Sequence, residues 1–228
     1  MNQTGPDPTG IDQPGRPPRA PIFTQGPSPV VLALAAAILL VQTLVWWSTV
    51  YGEGFMHGVA IWLGAVRTGT MTGQIPPAPV AGLSPYLLHV FVHFGWFHTL
   101  LNVGALIAFG AAAARPFGGG FKGGLGFLAF FFVCGIAGAA LSKAVHWSEP
   151  SIMVGASTAI SGILAAAGWA YGGRAGMLRI ALPWLGINVA LAVADPFFNH
   201  PIAWAGHLGG LVAGMALYPL FVQAFRRR

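Results

Sequence analysis

From Pro29 onward the chain consists of long apolar stretches, and that pattern leaves few folds open. Six stretches approach or exceed the about 20 residues that a helix needs to cross about 30 Å of hydrocarbon: residues 29–50, 86–113, 121–144, 155–172, 177–194 and 203–225. Lipid offers no hydrogen-bond partners to the backbone, so apolar segments of this length have to satisfy their own N–H and C=O groups as helices. Only 7% of residues are charged, against about a quarter in a soluble domain. The expected fold is an all-α polytopic membrane protein, a bundle of six transmembrane helices spanning residues 29–228.

Residues 1–28 are dense in Pro and Gly and hold few large apolar side chains before Ile22. Such a segment buries too little surface to offset its ordering entropy and is expected to be a disordered cytoplasmic tail. It lacks the basic start, apolar run and small-residue cleavage site of a signal peptide. Between the first two spans lies a long connection, residues 51–85, whose apolar run 55–66 is flanked by Glu53 and Arg67 and reads as an interfacial or re-entrant element. Cys134 is the only cysteine, which excludes disulfide frameworks and multi-cysteine metal sites. It reads as a small buried helix residue.

The net charge of +6 would suggest a nucleic-acid partner in a soluble chain. Here the charges punctuate the apolar segments without forming a patch, so no nucleic acid is expected. They set orientation instead, because cytoplasmic loops carry the excess of Lys and Arg. With both termini cytoplasmic, Arg16, Arg19, Arg115, Lys122, Arg174, Arg179, Arg226, Arg227 and Arg228 fall inside, against Arg67 and Lys143 outside. The fourth and sixth spans then both run inward, which places Ser157 and His207 at similar depth near the outer face. Nothing in the pattern specifies an oligomeric state.

Polar residues at membrane depth are costly and are functional candidates by default. The second span carries His89, His93, His98 and Asn102. His98 and Asn102 are four apart, so on a helix they share a face about 6 Å from each other. Two readings stay open for the pair: donors into a shared wet cavity, or interhelical glue. No span has an interior Lys, Asp or Glu, which weakens an ion-coupled transporter. The three histidines have no carboxylate or thiolate beside them and are spread around the expected helix, so neither a metal site nor a cofactor is expected.

Ser157 opens the fourth span after Gly155 and Ala156. Its bland reading is a small packing residue, and Ser161 is expected to bond the carbonyl one turn back. At a first helical turn, however, free backbone N–H groups can face an oxyanion. In the sixth span Gly206, Gly210 and Gly214 recur every fourth residue beside His207, a stripe that lets two helices approach closely. Paired with a small face of Ser161, Ala165 and Gly168, it would bring Ser157 and His207 into hydrogen-bonding reach, as nucleophile activation requires. Ser157, Asp195 and His207 also follow the chain order of an α/β-hydrolase triad, but Ala159 stands where that elbow needs Gly, and no strands are expected to build its sheet.

Taken in order, His98-x-x-x-Asn102 on the second span, Gly155-Ala-Ser157 opening the fourth and Gly206-His207-x-x-Gly210 on the sixth make the chain resemble the rhomboid intramembrane serine proteases, over about residues 29–228. The resemblance implies a Ser157–His207 dyad without a catalytic carboxylate and an oxyanion site from the Ser157 N–H, His98 and Asn102. Gly155, Gly206, Gly210 and His93 are expected to support it. It implies transmembrane protein substrates cut near the outer face of the lipid bilayer, in a bacterial cytoplasmic membrane, with residues 51–85 as the family's large first loop. Two positions depart from the family pattern: Thr158 follows the serine where Gly is usual, and Ser84-Pro85 replaces a Trp-Arg pair before the second span. A non-catalytic relative that binds transmembrane clients is the alternative from another class.

Overall fold

A computed structural model describes residues 26–69, 76–197 and 203–225. Nearly all of the tail expected over residues 1–28 lies outside these residues, as do Arg16, Arg19 and Arg226 to Arg228. Besides a four-residue stretch at Pro79–Gly82 in which Val80 and Ala81 have non-helical angles, seven α-helices order the described residues: α1 (Pro29–Tyr51), α2 (Phe55–Gly64), α3 (Ser84–Leu88), α4 (Trp96–Ala114), α5 (Gly120–Val145), α6 (Ser157–Ala194) and α7 (Trp204–Phe225). Among the described residues, five helical stretches are long and apolar enough to cross a membrane, those of α1, α4, α5, α6 and α7. The chain is an integral, multi-pass membrane protein.

Helix α6 accounts for the fourth and fifth expected spans together. It breaks at Gly172 (φ −148°) and Gly173 (φ 57°), the second of which is in the left-handed region that glycine tolerates. The two limbs fold back on each other: the Trp184 indole N–H donates to Ser161 Oγ at 3.0 Å, and Met177 and Ala181 pack with Ala165 and Leu211. The bundle is therefore six limbs in five helices.

The second span starts later than hydropathy indicates. Residues 84–91 form the short α3 and one 3₁₀ turn, and Gly95 (φ 91°) precedes α4. That φ favours glycine and separates the two helices. His89 and His93 accordingly lie before the transmembrane helix, and only His98 and Asn102 lie on it.

In the first loop, α2 occupies most of the apolar run. After it comes β1 (Val66–Thr68), which pairs antiparallel with β2 (Ser151–Met153), Val66 opposite Met153 and Thr68 opposite Ser151. This two-stranded ribbon was not expected from the sequence. Thr68 Oγ1 adds a 2.7 Å hydrogen bond to the Glu149 carbonyl, so the first loop is stitched to the segment that leads into Ser157.

Helix α7 is wedged between α5 and α6, its two most extensive interfaces. A Cβ on Gly209 would come within 2.6 Å of the Ala137 carbonyl oxygen of α5, and one on Gly210 would fall on the Thr158 carbonyl oxygen of α6. Backbones this close give dispersion contact along both sides of α7, which is how helices associate where no hydrophobic effect operates between them. Towards the opposite end, Phe117, Phe127, Phe130 and Tyr218 fill the core, and the Tyr218 hydroxyl donates to the Ala113 carbonyl at 2.8 Å.

Candidate active site

Ser157 is the first residue of α6, and the chain before it is pinned from three sides. The β ribbon holds residues 151–153. The Gly155 N–H donates to the His89 carbonyl at 2.8 Å, and the Ala156 N–H donates to His93 Nε2 at 3.2 Å. The Ser157 N–H has no acceptor among the described residues, as expected for an N–H in a first helical turn.

His89 and His93 are thus both used in placing this turn. His89 Nδ1 lies 2.8 Å from the Pro85 carbonyl, an acceptor only, so its proton sits on Nδ1 and its Nε2 accepts from Thr158 Oγ1 at 2.9 Å. Thr158, one position past the serine, is only 1% exposed. Its side chain points towards Gly138 and Gly206. The residue that departs from the family pattern therefore ties α6 to His89 and to its neighbours rather than projecting beside Ser157 Oγ.

His207 sits in the first turn of α7, buried, with Nε2 2.8 Å from Ser157 Oγ. Its other ring nitrogen, Nδ1, lies 2.9 Å from Asn188 Oδ1, and the Trp184 ring packs against the imidazole at 5.6 Å between centroids. Neither Asn188 nor Trp184 was singled out from the sequence. The available signal was a lone Asn among the apolar residues 180–194, where polar groups are costly.

The glycines set the approach of α7 to α6. Gly210 rests on the Thr158 carbonyl and Gly214 on the Gly162 backbone, while a Cβ on Gly206 would meet Met153 Sδ at 2.6 Å. The stripe therefore packs on Thr158 and Gly162, and not on the face of Ser161, Ala165 and Gly168 expected to receive it. That small face serves mainly the hairpin within α6: Ser161 bonds Trp184, Ala165 packs with Met177 and Ala181 as well as Leu211, and Gly168 abuts Gly176. Ser161 also donates to the Ser157 carbonyl at 2.8 Å, the bond expected one turn back.

His98 lies on the other side of Ser157. A Cβ on Gly155 (φ 120°) would stand 3.0 Å from His98 Nε2 and 3.6 Å from Ser157 Oγ. Glycine there meets two requirements, a left-handed backbone and open space between the ring and the hydroxyl. The Phe94 N–H donates to His98 Nδ1 at 3.4 Å, which leaves the proton of the neutral ring on Nε2, beside the open space. Asn102 is buried on the same face of α4. One of its N–H groups bonds the His98 carbonyl at 2.8 Å, and its Oδ1 has no partner. The interhelical partner that a glue role would need is not found among the described residues.

Cys134 is buried and free, packed against Gly162. Among the described residues no group of three or more His, Cys, Asp or Glu is placed to hold a metal ion. In the hydrolase-type order of Ser157, Asp195 and His207, the carboxylate would face the second ring nitrogen of the histidine; here Asn188 Oδ1 stands 2.9 Å from His207 Nδ1.

The Rhomboid domain family model matches residues 81–224, well over half of the chain, and takes in His98, Asn102, Ser157 and His207. The chain belongs to the rhomboid family. No curated protein matches it. Within this rhomboid domain, the His98, Ser157 and His207 motifs converge from α4, α6 and α7, although they span more than a hundred residues of sequence.

Proposed function

We propose that this rhomboid protein is an intramembrane serine endopeptidase that hydrolyses membrane-anchored proteins near the outer face of a bacterial cytoplasmic membrane. The observation that carries the reading is the 2.8 Å contact between Ser157 Oγ and His207 Nε2, the separation nucleophile activation requires. Family membership alone leaves activity open, because the family includes inactive members.

In the reaction, Ser157 Oγ attacks the scissile carbonyl carbon as His207 Nε2 takes its proton. The new Oγ–C bond forms and the carbonyl oxygen becomes an oxyanion. The C–N bond then breaks, and the leaving amine takes the proton from His207. Water attacks the acyl-enzyme with His207 again as base, releasing the carboxylate product and restoring the Ser157 hydroxyl. The free Ser157 N–H, the His98 Nε2–H and the second Asn102 N–H are the donors for the oxyanion. Gly155 keeps the space among them open, and His93 holds the turn through the Ala156 N–H.

The test is cleavage of a generic single-span substrate by the protein purified in detergent, with the product ends located by mass spectrometry. Cleavage within or beside the substrate's transmembrane segment supports the proposal. A folded protein that captures the substrate intact, and does not react at Ser157, would instead be a binding protein for transmembrane clients.

Asn102→Ala separates a donor from a packing residue. Among the described residues its side chain hydrogen-bonds only its own helix, so the variant should be within about 1 kcal/mol of the wild type in stability. Losing one oxyanion donor should lower kcat by about 10-fold to 10³-fold, with activity left from His98 and the Ser157 N–H. Single-turnover rate and melting temperature on the same preparation read both effects; a destabilised but fully active variant removes Asn102 from the oxyanion site.

Orientation follows the charges. Reporter fusions after Arg115 and at the C-terminus should read cytoplasmic, and a fusion near Glu149 external. The opposite readings would put Ser157 at the inner face.

A further inference from the structure

The second limb of α6 presents two side chains to His207, Trp184 and Asn188, one helical turn apart. Asn188 is 2% exposed, and both functions of its amide are engaged. Its Nδ2 donates to the Trp184 carbonyl at 2.8 Å, and its Oδ1 lies 2.9 Å from His207 Nδ1. A carbonyl oxygen can only accept. The amide is therefore fixed with nitrogen towards the Trp184 carbonyl and oxygen towards His207, since the flipped amide would set two oxygens 2.8 Å apart. An oxygen without a proton facing Nδ1 requires that Nδ1 carry the imidazole proton. Nε2 of the neutral ring is then an acceptor, and it faces the Ser157 hydroxyl.

Trp184 is held in turn. Its indole N–H donates to Ser161 Oγ, and Ser161 donates to the Ser157 carbonyl. The backbone carbonyl that fixes Asn188 thus belongs to a residue anchored to the nucleophile's own helical turn, and the Trp184 ring lies against the imidazole that Asn188 orients.

We propose that Asn188 is a positioning residue for His207: it selects the tautomer with the proton on Nδ1 and holds the ring so that Nε2 receives the Ser157 proton. An amide performs here the orienting role that a buried carboxylate plays in other serine hydrolases, and it does so without placing a charge at membrane depth, where charge is costly. The proposal rests on the protease reading for its effect on rate, and on geometry alone for its effect on the tautomer.

Nitrogen-15 NMR of histidine-labelled protein in detergent or lipid tests the tautomer independently of activity. Assigned through His207→Gln, the His207 signals of the wild type should show a protonated Nδ1 and an unprotonated Nε2. In Asn188→Ala, Nδ1 loses its partner and the Nε2-protonated form should gain population. Turnover should fall by about 10-fold to 10³-fold, largely in kcat, and fluorophosphonate labelling of Ser157 should slow similarly. Asn188→Asp, as a neutral carboxyl that donates to the Trp184 carbonyl and accepts from Nδ1, should recover the Nδ1-protonated tautomer together with a large part of the lost rate, which a purely structural role would not predict. A wild-type His207 protonated on Nε2, or an Asn188→Ala variant with unchanged tautomer and kcat, overturns the proposal while leaving the protease reading intact. If the wild type cleaves nothing and Ser157 does not react, the protease reading fails and the tautomer result stands by itself.

Discussion

Ser157→Ala and His207→Ala are each expected to lower turnover of a transmembrane substrate by about 10⁴-fold to 10⁶-fold, the range seen when members of a catalytic Ser-His unit are removed elsewhere. Either change removes one end of the 2.8 Å contact, and the remaining partner has no substitute: Asn188, the other hydrogen-bond partner of His207, presents an oxygen without a proton to the ring. The double variant should be scarcely worse than either single one, because the two groups act as a unit. Ser157→Ala leaves the helix start intact and should melt close to the wild type. Ser161→Ala provides the contrast. It removes the acceptor of the part-buried Trp184 N–H and should lower stability by about 1 kcal/mol, yet Ser157 labelling should persist. Loss of labelling in Ser161→Ala with retention in Ser157→Ala would exchange the nucleophile assignment.

Gly210→Val is expected to have a comparable effect through packing. A Cβ there would coincide with the Thr158 carbonyl oxygen, a backbone atom that cannot rotate away, so α6 and α7 must separate. Overpacking typically costs about 1–3 kcal/mol, occasionally more, and backbone against backbone belongs at the upper end. The same separation pulls His207 from Ser157, so any folded fraction should also be inactive. Gly186→Ala is the control: nothing lies within 4 Å of its added Cβ, and the change should be neutral or stabilising by less than about 1 kcal/mol. Thermal melting in detergent reads both. A Gly210→Val variant of wild-type stability and activity would show that the two helices are not in backbone contact.

Hydropathy made the membrane limbs legible, and glycine spacing the meeting of α7 with α6, because both depend on local chemistry. The order of the His98, Ser157 and His207 motifs pointed, through the family the chain resembles, to residues that α4, α6 and α7 bring together. What sequence could not show depended on backbone angles and on partners distant in the chain. Residues 86–95 are as apolar as the helix that follows, so nothing in hydropathy marks the break that Gly95 makes with φ 91°. The ribbon of residues 66–68 with 151–153 is too short to carry an alternating pattern. Ser161, Ala165 and Gly168 looked like the partner of the glycine stripe because both are small, but smallness does not say which neighbour it admits. Asn188 was passed over because its role exists only once α6 doubles back at Gly172 and Gly173 and carries it to His207.

An activated Ser157 reacts with a fluorophosphonate probe, and peptide mapping locates the label. Wild-type protein in detergent should be labelled at Ser157 alone, with no label on Ser157→Ala and a strongly reduced rate on His207→Ala. Folded wild-type protein that takes up no probe, or takes it up at a serine other than Ser157, would show that Ser157 is not an activated nucleophile.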